Sequence, residues 1–379
     1  MKPLGASELL HGLGAWEILD SLADGAYITD TERRILFWNR AAERITGWKA
    51  EEVVGHRCQD NILSHVDKDG HPLCGNETCP LRRSIITGQP SALPLLIFAN
   101  SKSGKRIPVE VTVAPVRDAA GKVVAGIELF RDVTATVQDM MRAQVIQQSC
   151  LECALADDAR IKCEVRYTPS EIVGGDFYRV ERLDGNRYAV LVADVMGHGL
   201  AAALYSVQLR SFWEDQRGQL DSPARFLGTL NQHLRAMAPD ALFFATAVCA
   251  NINAATGRIT YVCAGHCPPL LLRAGGAVET AIDSQPGLGL FDALCYSNLT
   301  QDLAPGDGLL LYTDGALEIS DQQDEDLGIP GLVRLIEQNI AANPAHQLQL
   351  ARLEEQLLLY SHNVRLSDDL TLLKFCRLK

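Results

Sequence analysis

Residues 172–199 read IVGGDFYRVERLDGNRYAVLVADVMGHG. Two strand-like runs, GGDFYRVERL and RYAVLVADV, stand side by side, and each carries an aspartate at a strand end or beside glycine: Asp176 and Asp194. Upstream lies a third run, KCEVRYTP. Downstream, helical periodicity predicts helices over 198–217 and 223–238, then the strands FFATAVCANI, RITYVCAG, PPLLLRAG and DGLLLYTDG. Helices over 331–341 and 344–360 precede a last strand, DLTLLKFC. Strands that come in hairpins, alternating with long helices, predict two antiparallel sheets sandwiched between helices, an α+β arrangement layered α-β-β-α.

Chemistry concentrates in this half. Asp176 lies in VGGDFY, Asp194 in ADVMGHG, Asp314 in YTDG, and Asp368 beside Asp369 in SDDLT. An aspartate before glycine is by itself a turn residue; the set is what carries weight. Carboxylates that converge need a cation, or they repel one another and take up protons. An all-oxygen donor set suits Mg²⁺ or Mn²⁺ and not zinc.

In this order the motifs VGGDFY (173–178), ADVMGHG (193–199), FFATAV (243–248), YVCAGHCPPLLL (261–272), PGLGL (286–290), PGDGLLLYTDGALE (305–318) and SDDLTLL (367–373) resemble the SpoIIE-like branch of the PPM-type serine/threonine phosphatases. The resemblance implies two Mn²⁺ or Mg²⁺ ions held by Asp176 and Asp194, by the Val195 carbonyl, and by Asp314 and Asp368, with Asp369 the alternative of the pair. It implies metal-activated water attacking phosphorus in line, with no phosphoenzyme. The substrate would be a phosphoserine or phosphothreonine on a STAS-type anti-sigma-factor antagonist, in a partner switch that releases a sigma factor. His198 is a candidate to position water or protonate the leaving oxygen, with helix capping or carboxylate orientation as the rival role; His266 reads as structural. The chain departs from the family pattern at Arg179, where an acid is common, and at Met196, where serine is frequent. No arginine stands where the wider family grips phosphate.

The first 132 residues form a different unit. GAYITD, a turn at TERR and ILFWNRAAERITGW read as a hairpin followed by a short helix stopped at Gly47; three more strands follow with SGK and AAGK turns. The stretch DGAYITD…ILFWNRAAERITGW…EVVGHRC, closing on GKVVAGIELFRDVT, resembles a PAS domain, a five-stranded antiparallel sheet with helices. The expected organisation is an N-terminal helix over 1–23, a PAS sensor over 24–133, a linker helix over 134–157 and the phosphatase over 158–379. Val137, Met140, Met141, Gln144, Val145, Gln148, Leu151 and Leu155 form an approximate heptad stripe over about three heptads, so a homodimer through PAS and linker helix is expected, with one amphipathic helix packed on its own domain as the rival.

Within the sensor, GHRCQDNILSHVDKDGHPLCGNETCPL gathers Cys58, His65, Asp67, His71, Cys74 and Cys79. Its spacing fits no common zinc-finger pattern. A bound metal, an iron–sulfur cluster, a haem on His56, His65 or His71, a redox switch, and a local disulfide or buried thiols all remain open. Of the eleven cysteines, Cys163, Cys249, Cys263 and Cys376 read as small core hydrophobes.

Composition narrows the rest. A formal net charge of -12 argues against binding nucleic acid through phosphate contacts. No apolar run reaches the roughly 20 residues that span a bilayer, and no secretory signal opens the chain, so a cytoplasmic location is expected. A pseudophosphatase scaffold acting by protein contact is the rival function, disfavoured by the intact aspartates. A histidine kinase lacks its phosphoacceptor helix.

Overall fold

The computed structural model describes residues 14–75, 78–91, 94–153, 158–197, 199–237, 244–281, 284–321, 325–343, 345–360 and 366–378. It divides into two units, Met1–Asp139 and Met140–Lys379, and the division falls inside the helix Thr134–Gln148.

In the first unit, strands β1 (Gly25–Asp30), β2 (Ile35–Trp38), β3 (Leu95–Asn100), β4 (Arg106–Arg117) and β5 (Val123–Asp132) form an antiparallel sheet in the order β2-β1-β5-β4-β3. Helices Arg40–Thr46, Ala50–Val53 and Pro80–Thr87 sit between β2 and β3 in the chain. The helix after β2 starts where Asn39 caps it, its side chain accepting from Ala42 N at 2.8 Å. It stops at Gly47, whose φ of 79° suits glycine at a helix C-terminus. Tyr27, Trp38, Val111 and Phe130 pack in one core. Of the helix expected over 1–23, the described part is Ala15–Asp20, and residues 1–13 lie outside the described residues.

The linker helix is shorter than its heptad pattern suggests. It ends at Gln148, and the chain turns through Ser149–Leu151 into a short strand, β6 (Glu152–Cys153). Parallel pairing of β6 with the next sheet satisfies backbone groups that a longer helix would have satisfied internally. Leu155 lies outside the described residues.

The second unit is the four-layer sandwich. Strands β7 (Ile161–Thr168), β8 (Phe177–Arg182), β9 (Arg187–Val195), β10 (Ala245–Asn253), β11 (Arg258–Ala264), β12 (Leu270–Leu272), β13 (Val278–Thr280), β14 (Leu299–Asp302), β15 (Gly308–Tyr312) and β16 (Leu370–Arg377) form two sheets. Their orders are β14-β11-β10-β9-β8-β6 and β13-β12-β15-β16-β7. Alternation along each strand explains the layering. In β9, Ala189, Leu191 and Ala193 face one core with Leu209, Trp213 and Phe226 of helices Leu200–Asp215 and Pro223–Met237. Tyr188, Val190 and Val192 face the other way, against Leu309, Leu311, Leu373 and Phe375 of the second sheet. That sheet turns Leu310, Tyr312, Leu370 and Leu372 towards Leu332, Ile336, Leu353 and Leu357 of helices Gly328–Ala342 and Leu350–Tyr360. Strands covered on both faces read as continuous apolar runs, and each fully buried Leu or Val contributes about 1.5–3 kcal/mol.

The helix expected over 344–360 begins only at Leu350. Asn339 holds the preceding loop, accepting from Gln349 N at 2.9 Å, and Asn343 donates to Gln347 O at 2.6 Å. These tertiary hydrogen bonds replace the first helical turns.

Candidate functional site

Asp176 stands one residue before β8, Asp194 near the end of β9, Asp314 opens a short 3-10 turn after β15, and the Asp368–Asp369 pair precedes β16. The first two strands belong to one sheet and the last two to the other. The sandwich therefore brings carboxylates far apart in sequence to a common end.

Asp176 is almost wholly buried. Its Oδ2 accepts from Thr313 Oγ1 at 2.9 Å and from Thr371 Oγ1 at 2.5 Å, the first just after β15 and the second near the start of β16. Burial pushes its carboxyl well above the usual range, and Asp194 and Asp369 push it further. Burial also raises Asp194 to about 7, with Asp314, Asp368, Asp369 and Glu318 adding to the effect. Asp314 is raised by burial and then by Glu318. These carboxylates feel one another directly, the electrostatic condition that a multivalent cation relieves.

The backbone is shaped around them. A Cβ on Gly174 would collide with the Asp369 carboxylate, and one on Gly175 would stand 2.7 Å from the Val195 carbonyl oxygen. Only glycine lets that carbonyl and the Asp176 loop approach so closely. Asp369 is engaged on both oxygens: Oδ1 accepts from Ser170 N at 2.8 Å and Ser170 Oγ at 3.1 Å, and Oδ2 from Gly175 N at 2.5 Å. Asp368 Oδ1 accepts from Asp369 N at 2.7 Å. The donor set of Asp176, Asp194, Asp314, Asp368 and the Val195 carbonyl is all hard oxygen, and it fits Mg²⁺ or Mn²⁺. Among the described residues, no three of these side chains place ligand atoms within 4.8 Å of one another.

Three neighbours escaped the sequence reading. Glu318 lies four residues after Asp314 and bears on both Asp314 and Asp194. The buried Tyr167 hydroxyl has no hydrogen-bond partner and lies beside Gly174. Gln147, buried at the end of the linker helix, accepts from Gly174 N at 3.3 Å and donates to Gly174 O at 2.5 Å and Ser206 Oγ at 2.9 Å. A glutamine that the heptad pattern places beside its stripe thus grips the loop that carries Asp176. The position of Glu318 in YTDGALE was the one usable signal; Tyr167 and Gln147 gave none.

His198 lies outside the described residues. His266 is buried, its Nδ1 2.7 Å from Thr246 Oγ1, and burial lowers it to about 4, so it stays neutral. Arg179 points into an ion cluster: Nη2 donates to Glu214 Oε1 at 2.6 Å, Nη1 lies 3.3 Å from Glu152, and Glu181 meets Arg217 and Trp213 Nε1. Met196 is exposed.

The candidate sensor residues do not meet at one point. Among the described residues, no three of Cys58, His65, His71, Cys74 and Cys79 bring ligand atoms within 4.8 Å of one another; the group that does is Asp67, Asp69 and His71. His71 is exposed and pairs with Asp67 at 3.1 Å. Cys58 and Cys79 are buried, and Cys74 shares a hydrogen bond with Cys79. That hydrogen bond lowers Cys79 to about 6, helped by Arg82 N and Arg33. Burial pushes Cys58 up to about 12. Beside them the sequence missed Glu128, buried on β5, with Oε1 unpartnered and 3.7 Å from His65 Nε2. Burial raises Glu128 to about 8 and lowers His65 to about 3. At that spacing, beyond a hydrogen bond and away from water, both are neutral. The alternation of β5 turns Gly126, Glu128 and Phe130 inward, so strand parity carried the signal.

Comparison with known proteins matches residues 184–378 to the family described as stage II sporulation protein E (SpoIIE), and residues 19–138 to the PAS fold. The phosphoserine phosphatase RsbP of Bacillus subtilis is 30% identical over 186 residues, 48% of this chain and 46% of that protein. The phosphoserine phosphatase RsbU of the same organism is 26% identical over 229 residues, 60% of this chain and 67% of that protein. The chain thus spans less than half the length of RsbP. Among solved structures, the SiaA-PP2C domain of Pseudomonas aeruginosa matches with a TM-score of 0.55 at 22% identity, covering 64% of this chain and 97% of that one. The PP2C phosphatase domain of SpoIIE with a fragment of its regulatory domain, from Bacillus subtilis, matches with a TM-score of 0.50 at 14% identity, covering 71% of this chain and 79% of that one. These structural likenesses establish a PP2C-type fold.

Proposed function

Because the chain belongs to the stage II sporulation protein E family, we propose that it is a metal-dependent protein serine/threonine phosphatase under the control of its PAS unit. The observation that carries this reading is the convergence of Asp176, Asp194, Asp314 and Asp368, each on a different strand end, with charges that raise one another. RsbP and RsbU are phosphoserine phosphatases. With the motif resemblance, that supports a phosphoserine or phosphothreonine on a STAS-type anti-sigma-factor antagonist as substrate.

Asp176, Asp194, the Val195 carbonyl, Asp314 and Asp368 would hold two Mn²⁺ or Mg²⁺. Bound there, the ions polarise the phosphoryl group and lower the pKa of water so that a nucleophile exists at neutral pH. Thr313 and Thr371 keep Asp176 oriented by donating to one of its oxygens. Asp369, engaged by Ser170 and Gly175, fixes the Asp176 loop, and Asp368 is the ligand of the pair. The exposed side chains of Met196, Leu200 and Leu204 offer the substrate protein an apolar contact beside Asp194.

The domain limits 24–133, 134–157 and 158–379 belong to this proposal, as does a homodimer through PAS and linker helix, supported by the exposed Met141 and Val145. No helix of the described residues is long and apolar enough to cross a membrane. The decisive experiment follows hydrolysis of p-nitrophenyl phosphate and of a phosphorylated STAS-type protein, with and without Mn²⁺, beside Asp194→Ala. Mn²⁺-dependent turnover lost in the variant is expected. No turnover on either substrate in excess Mn²⁺ would replace the enzyme with a scaffold.

A further inference from the structure

Cys153 and Cys163 are ten positions apart in the chain and belong to different sheets. Cys153 lies on β6, which pairs in parallel with β8 at the edge of the six-stranded sheet. Cys163 lies on β7, the edge of the five-stranded sheet, opposite Phe375 of β16. Both side chains pack on the core between the two sheets, and their Sγ atoms are 3.5 Å apart. Both are half-buried. Beside them opens a groove of 460 Å³ lined by Gln148, Leu151, Val165, Tyr167, Tyr178 and Glu354. Tyr178 feels both thiols. Half-buried as they are, both thiols can be reached by a small oxidant.

We propose that Cys153 and Cys163 are an oxidisable dithiol that closes into a disulfide joining the edge strands of the two sheets. From 3.5 Å the sulfurs need approach only to about 2.05 Å. The two thiols share one hydrogen bond, and Cys153 is the attacking sulfur because that contact lowers its pKa, whereas the same contact and then burial raise that of Cys163. With hydrogen peroxide as oxidant, the Cys153 thiolate attacks one peroxide oxygen, the O–O bond breaks, and hydroxide leaves. The Cys163 sulfur then attacks the Cys153 sulfenic sulfur. The S–S bond forms, the S–O bond breaks, and the departing hydroxide takes the Cys163 proton. Two thiols and one peroxide yield one disulfide and two waters. No third cysteine joins them as a metal ligand: Cys376 bears on Cys163, yet no three-ligand group among the described residues includes these thiols.

The bond would fasten the chain just after the linker helix, six residues beyond Gln147, which grips Gly174 next to the Asp176 loop. The site is thus placed to couple oxidation to the linker exit, whatever the second unit dephosphorylates.

The test treats the full chain with a small excess of hydrogen peroxide, blocks remaining thiols, and maps disulfides by mass spectrometry. A peptide pair linking Cys153 to Cys163, reversed by dithiothreitol, is expected. Hydrogen exchange of the Gln147–Cys153 segment should slow by about tenfold on oxidation. Cys163→Ser should lose both signals, while Cys295→Ser, at an exposed cysteine, should keep them. Should Cys163→Ser fail to fold, the wild-type map decides alone. Cys153 left free to alkylation after oxidation, or linked instead to Cys376 or Cys295, overturns the proposal.

Discussion

Each unit buries a knot of acidic groups, and the two knots are neutralised in different ways. In the sensor, burial drives Glu128, His65, Tyr27 and Cys58 towards their neutral forms, and the hydrogen bond with Cys79, then burial, does the same for Cys74. Among the described residues the basic group facing Glu128 is His65, itself held neutral by burial, so Glu128 keeps its proton. In the second unit Asp176, Asp194 and Asp314 are raised by burial and by neighbouring carboxylates, but each reaches the end of the sandwich, where hydroxyls and a backbone carbonyl add further oxygens. Desolvation alone predicts protonation in both places. Several converging oxygen donors, present in one knot and lacking in the other, make a cation the better solution there.

Neutralising one carboxylate in each knot separates these cases most sharply. Asp194→Asn is expected to cut Mn²⁺-dependent turnover by roughly a thousandfold or more. In chelator the same variant should unfold at higher urea, because a mutually repelling charge is gone. If it melts lower in chelator, repulsion does not govern the cluster. Glu128→Gln should leave turnover intact and change the pH dependence of stability. Folded Glu128 holds its proton to about pH 8, whereas a glutamate in the unfolded chain loses it near 4.5. Its contribution is therefore full below pH 4.5 and drains as pH rises through 8, by up to about 5 kcal/mol. Urea midpoints across that window should fall with pH in the wild type and flatten in the variant; equal slopes would mean that Glu128 is ionised and paired with His65⁺.

Two smaller effects probe what surrounds the knots. Arg179→Met takes a guanidinium from the half-exposed Glu214, while Glu181 keeps Arg217 and Trp213, and should cost about 1 kcal/mol in denaturant unfolding, with turnover nearly unchanged. Loss of turnover with stability kept would give Arg179 a part in phosphate binding. Gln147→Ala removes the side chain that holds Gly174 and should lower kcat about fivefold, with less change in KM. An unchanged kcat would separate the linker helix from the Asp176 loop.

Much of this was legible in the chain. Strand-end aspartates beside glycine marked the oxygen cluster because such positions expose carboxylate and backbone together. The run RYAVLVADV, apolar at every position from Tyr188 to Ala193, pointed to a strand covered on both faces. Helix ends were less legible. The linker pattern ran past Gln148 because periodicity cannot see that β8 offers a neighbouring backbone, and Leu350 opens its helix late because Asn339 captures the loop. Of the five sensor residues, His71 stands apart, exposed and paired with Asp67, while Cys74 keeps contact with Cys79 and with the His65 backbone.

Local order is what sequence alone determined: which segments alternate, where glycine breaks them, and which aspartates stand at strand ends. These depend on interactions within a few residues, written in composition and spacing. Tertiary structure decided which groups meet. Glu128 faces the thiols, Gln147 holds Gly174, Asp369 spends its oxygens on Ser170 and Gly175, and Cys153 finds Cys163 across two sheets. Each of these pairings joins segments through strand order and register, and hydrophobic periodicity specifies which face of a strand is buried but not which strand lies beside it.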